Sequence, residues 1–176
     1  MKKLNTPIRI FVGLLFIFSG LIKANDPHGL SYKMQEFFEV WGFDFLNPLS
    51  LFSSLAMNVL EVFAGIAIIV NWQTKKITWL LFILILFFTY LTGYALFSGK
   101  IKTCGCFGDC LPLTPAMSFT KDIVLGILII ILLATNTGKA SKGIFGKIVL
   151  YTVTLGTAAF QWYALTYLPV VDCLPY

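Results

Sequence analysis

The chain has 176 residues, of which 58% are hydrophobic and only 12% charged, with 17 phenylalanines, one histidine and a formal charge of +5. A soluble domain carries about 25% charged residues, so this composition excludes a water-soluble globular fold. The basic residues sit in short clusters between apolar runs rather than along one groove, which excludes a nucleic-acid binder. An all-α integral membrane protein remains, with the lipid bilayer as its first partner.

A membrane-crossing helix needs about 20 apolar residues. Five runs approach that length, and they predict spans at about 8–24, 49–71, 77–98, 119–137 and 147–168 in a single transmembrane domain covering 1–176. They show no alternation of apolar and polar residues, so they read as helices and not as barrel strands. The first run has a basic start (Lys2, Lys3, Arg9) and an apolar stretch from Ile10 to Ile22, features shared with signal peptides. Lys23, Asn25 and Asp26 follow directly without a small-x-small cleavage site, so the run is read as a span, with Arg9 and Lys23 snorkelling from its ends. Between the first two spans, Leu30, Met34, Phe37, Phe38 and Trp41 recur at near-helical spacing among Lys33, Gln35, Glu36 and Glu39, which predicts an amphipathic helix on the outer face. Before the fourth span, Thr114-Pro115 reads as an N-cap followed by proline at the first helical position, and Ser118 offers a later start; either puts Lys121 and Asp122 at the membrane surface.

Lys2, Lys3, Arg9, Lys75, Lys76, Lys139, Lys142 and Lys147 fall on one side of this arrangement, with no acidic residue among them. The other side mixes Lys23, Lys33, Lys100, Lys102 and Lys121 with Asp26, Glu36, Glu39, Asp44, Asp109, Asp122 and Asp172. The positive-inside rule then predicts a cytoplasmic N-terminus and an outer C-terminus, which for a bacterial inner membrane is periplasmic.

That orientation puts all four cysteines, Cys104, Cys106, Cys110 and Cys173, on the oxidising side, where disulfides form. Cys104-Gly105-Cys106-Phe107-Gly108-Asp109-Cys110 is the most specific local feature. Its glycines permit tight turns, and a bridge across Cys-x-Cys would close a small, strained and therefore easily reduced ring. The preferred reading is a reactive pair within 104–110 with Cys173 as a relay or resolving thiol. Inert structural disulfides, or a soft-metal site, are the alternatives; the spacing lacks the C-x2-C knuckle of structural zinc sites.

Glu61 lies in the middle of the second span, too deep for its short side chain to reach water, and is expected to face the bundle interior. There it either serves the chemistry, for instance by moving a proton, or holds helices together through Tyr90, Thr92, Tyr94 or Gln161. His28 is read as an ordinary surface histidine.

Several pieces occur in a familiar order: Phe18-Ser19-Gly20 with Lys23 and Asp26-Pro27; Leu60-Glu61 with Gly65; Thr92-Gly93-Tyr94 leading to Cys104-Gly105-Cys106-Phe107-Gly108-Asp109; and Ser118-Phe119 with Lys121-Asp122. In these the chain resembles the DoxX-like membrane proteins, specifically the redox-associated branch around the methylamine-utilisation protein MauE, in the form common in Bacteroidetes. The resemblance implies a four-helix transmembrane bundle, here with a fifth C-terminal span, and a part in periplasmic thiol–disulfide exchange or the maturation of exported proteins. It also implies a thioredoxin-like protein or a disulfide-containing client as partner. Similar proteins continue beyond Leu174-Pro175-Tyr176 into an exported region, so a truncated or shortened member is expected here.

The function expected is thus that of a thiol–disulfide oxidoreductase-like membrane protein using Cys104, Cys106, Cys110, Cys173 and Glu61. A quinone would fit an apolar bundle as electron sink, although no motif specifies one. The rival is a non-catalytic assembly or anchoring protein. Transport is weaker still, since no broken helix with paired Gly and Pro sits at mid-span. Phosphate-binding glycine loops and nucleophile elbows are absent from the sequence.

Overall fold

A computed structural model describes residues 2–98, 114–135 and 144–167, with side chains from residue 5 onward. The cysteines, Asp109 and Asp172 lie outside the described residues. Within them the chain forms six α-helices: α1 (Lys2–Asn25), α2 (Pro27–Val40), α3 (Ser50–Ile69), α4 (Thr74–Ser98), α5 (Pro115–Thr135) and α6 (Ile144–Tyr167), with a 3-10 helix at Asp44–Leu49 leading into α3. All but α2 are long and apolar enough to cross a membrane, the second candidate span including the 3-10 helix. The protein is an all-α membrane protein.

The helix boundaries follow from local chemistry. Asp26 caps α2 by accepting a hydrogen bond from the Gly29 amide at 3.0 Å, and Pro27 occupies the first turn, where its missing N–H costs nothing. The same device opens α5, where Thr114 Oγ1 faces the Met117 amide at 3.4 Å ahead of Pro115. Of the two starts open in the sequence, the helix takes the earlier one. Between α3 and α4 the chain reverses through Asn71 and Gln73, both at positive φ (60° and 38°), and Trp72 packs edge-on against Phe63.

α1 and α3 run antiparallel, and their backbones approach closely. A Cβ on Gly13 would lie 2.7 Å from the Gly65 carbonyl oxygen, and one on Gly65 equally near the Gly13 oxygen; Gly20 repeats the close approach further along α1, against Val62 and Asn58. In lipid, where helix association depends on close packing and interhelical polar contacts, such a seam of small residues is a principal source of adhesion. Val12, Phe16, Val62, Ile66, Ile85 and Leu125 belong to the core that forms around it.

The two ends of the bundle differ. At one, Arg9 donates to the Ile68 and Ile69 carbonyls at the end of α3 (3.1 and 3.0 Å), Asn5 and Thr135 bond each other, and Lys75, Lys76 and Lys147 are exposed. At the other, α2 folds over the end of α1 and packs on the first turns of α3. Ser54 donates to the Pro27 carbonyl, Ser31 and Ser50 bond each other, and Gln35 donates to Ser50. As expected, α2 is amphipathic: Leu30, Met34 and Phe37 are buried and Glu39 is exposed. Trp41 and Tyr94 pack with Phe37, while Tyr90 meets Trp41 from the exposed side.

Candidate functional site

The interior of this apolar bundle holds four ionisable side chains in one place. Glu61, on α3, is fully buried and forms an ion pair through Oε1 with Lys23 of α1, itself only 1% exposed. The Lys23 ammonium also sits 4.4 Å from the centre of the Phe88 ring, so its positive charge meets a carboxylate and an aromatic face together. On α5, Asp122 is 1% exposed; Thr92 of α4 donates to its Oδ2 (3.1 Å), and the Lys121 ammonium lies 3.1 Å from Oδ1. Thr92 Oγ1 also lies 3.2 Å from the Thr89 carbonyl, so its single proton has two acceptors. Lys121 retains 24% of its side-chain exposure and is the link between this cluster and the surroundings.

Between the two pairs lies a cavity of about 20 Å³, with polar lining from Ser19, Glu61, Lys121 and Asp122 and apolar walls that include Phe88 and Leu125. That volume suits a single water.

The architecture explains how Lys23 becomes buried two residues from the end of α1. Glu61 follows Ser50 by eleven residues, about 16 Å of helix, so α3 extends well beyond α1 on this side. The overhang is covered by α2, which closes the route by which Lys23 would otherwise reach water. A helical side chain also leans toward its own N-terminus, which directs the lysine down into the bundle. The expected snorkelling of Lys23 is therefore corrected to a buried ion pair. The position of Glu61 facing the interior is as expected, but its partner is Lys23 rather than Tyr90, Thr92, Tyr94 or Gln161: Tyr90 is 60% exposed, Thr92 serves Asp122, and Tyr94 joins the aromatic cluster of α2. Asp122, expected at the level of the membrane surface, is buried within the protein.

Lys23, Lys121 and Asp122 are thus the site residues that sequence reasoning missed. One signal was available, since an intramembrane glutamate calls for a cation and Lys23 is the basic residue adjoining the neighbouring apolar run. Among the described residues no group of three or more His, Cys, Asp or Glu side chains is placed to hold a metal ion. His28 is exposed and tilts against Tyr32, and is not part of the cluster.

The chain is similar to Protein TlpB of Flavobacterium psychrophilum, with 27% identity over 158 residues, amounting to 85% of this chain and 41% of that protein. It therefore spans about two fifths of that relative's length. No solved structure matches it. Residues 1–139, which include every helix contributing to the charged cluster, match the family described as methylamine utilisation protein MauE, and the chain belongs to that family.

Proposed function

We propose that this protein is a membrane component of thiol–disulfide exchange on the outer face of a bacterial inner membrane, acting with an exported thioredoxin-like protein or a disulfide-containing client. The observation that carries the reading is the Cys104-Gly105-Cys106-Phe107-Gly108-Asp109-Cys110 segment in a chain of the MauE family. The similarity to TlpB is in keeping with it. The orientation rests on charge: Arg9, Lys75, Lys76 and Lys147 gather at one end of the bundle, while Asp26, Glu36, Glu39 and Asp44 belong to the segment over the other. In this reading the lysine- and arginine-rich end is cytoplasmic and the second end, where α4 ends and α5 begins, is the outer one.

In the proposed exchange, a thiolate of the 104–110 cluster attacks a disulfide of the partner, forming a mixed disulfide and releasing one partner thiolate. A second cysteine of this chain then attacks the mixed disulfide, leaving this chain with a disulfide and the partner with two thiols. Two electrons pass to the partner, and the reverse sequence returns them. Cys173 is assigned the relay role.

The test is a redox titration of purified protein, with alkylation and mass mapping of Cys104, Cys106, Cys110 and Cys173 at each potential. A pair titrating well above about −300 mV marks an exchangeable bond. Bonds that stay oxidised below that potential make the disulfides structural and favour the anchoring protein. Alkylation of intact cells with a membrane-impermeant reagent checks the orientation, since labelling only after lysis would reverse it.

A further inference from the structure

The ion pair with Lys23 uses one oxygen of Glu61. The other, Oε2, is buried and has no hydrogen-bond partner among the described residues. A bare carboxylate oxygen in an apolar bundle carries its full desolvation penalty unless something bonds to it. The water-sized cavity beside Glu61 reaches Ser19, Lys121 and Asp122, and so offers a bridging water the two to four polar partners it requires.

We propose that this cavity is a water site through which a proton passes between Glu61 and Asp122. The step is a relay: protonated Glu61 gives its proton to the water as the water gives another to the Asp122 carboxylate, so two O–H bonds break, two form, the water is regenerated and the net transfer is one proton. Each carboxylate has its own cation, Lys23 for Glu61 and Lys121 for Asp122, and while Glu61 is protonated the Lys23 ammonium keeps the face of the Phe88 ring, so that state is the costlier and shorter-lived of the two. The titratable groups that line the cavity are Glu61 of α3 with Lys121 and Asp122 of α5; α1 lines it with Leu15, Phe16 and Ser19, α4 with Ile85 and Phe88, and Lys23 of α1 acts on it through its ion pair with Glu61. Lys121 is the partly exposed member, which places the exit to the surroundings at Asp122 and makes Glu61 the inner station. The relay stands on the geometry of α1, α3 and α5 and is independent of the cysteines.

The test is infrared spectroscopy of the full chain in lipid nanodiscs, stepping the pH in H2O and D2O and following the C=O stretch of protonated carboxyl groups. In the relay, Asp122→Asn removes one band and moves the midpoint of the Glu61 band by about 1 pH unit or more, as interacting sites do. If each band titrates with its midpoint untouched by loss of the other carboxyl, the relay is overturned. Ser19→Val keeps both carboxyl groups and both lysines but fills the cavity. It should abolish the deuterium-sensitive coupling, and coupling that survives it overturns the proposal even if the carboxyl variants fold poorly.

Discussion

Arg9 and Lys23 stand fourteen residues apart on the same helix, and both read in the sequence as cations flanking an apolar run. Arg9 remains partly exposed and bonds two carbonyls at the last turn of α3, groups that a helix end leaves without internal partners. Lys23 is buried, and its partner is a side chain of opposite charge. The difference lies in what covers each end. Among the described residues only a short turn follows α3 beside Arg9, whereas α2 closes over the Lys23 end, so similar cations become a helix cap in one place and half of an interior ion pair in the other.

The sharpest way to break this contrast is to remove one member of the buried pair. Glu61→Leu or Lys23→Met alone leaves an uncompensated charge in the bundle and should lower stability in detergent unfolding by about 3–5 kcal/mol, while the Lys23→Met/Glu61→Leu double variant should recover most of the loss. Equal losses in the single and double variants would show that the pair is not an energetic unit. Next in size is the seam that holds the two helices in register: Gly65→Ala drives a methyl against the Gly13 carbonyl and should cost about 1–3 kcal/mol. Gly126, with open space around its α-carbon, is the control, and Gly126→Ala should be neutral or stabilising by up to about 1 kcal/mol. At the other end of α1, Arg9→Met forfeits two charge-assisted bonds of a partly exposed side chain and should cost about 1.5 kcal/mol, a milder loss than at Lys23. The smallest effect is expected for Thr92→Val, which removes the donor to Asp122 at about 0.6 kcal/mol, the typical worth of an interhelical side-chain hydrogen bond in a membrane protein.

Hydropathy alone made the membrane helices legible, because the bilayer imposes a length on each run and forbids unsatisfied backbone within it. The amphipathic α2 was legible for a similar reason, since its apolar residues share one face. Glu61 could be assigned to the interior from depth. Its partner could not, because the pairing depends on the register in which α1 packs on α3, which is not encoded near Lys23; the amphipathic helix that covers the end of α1 was itself legible. The burial of Asp122 within the protein was not legible either. Its seven-residue distance from Pro115 suggested the surface, yet α4 packs along that turn and supplies Thr92. The cysteine motif, the plainest chemical signal in the sequence, lies outside the described residues.

The Lys23–Glu61 pair also has a consequence for biosynthesis. Thirty-eight residues separate the two, so α1 is synthesised and oriented before its counter-charge exists. Lys23 can wait at the lipid headgroups while α2 is made, and only the arrival of α3 allows it to be drawn inward. The glycine seam would then close around a neutralised pair, making the docking of α1 on α3 an early checkpoint in the assembly of the protein, ahead of the insertion of α5 and α6.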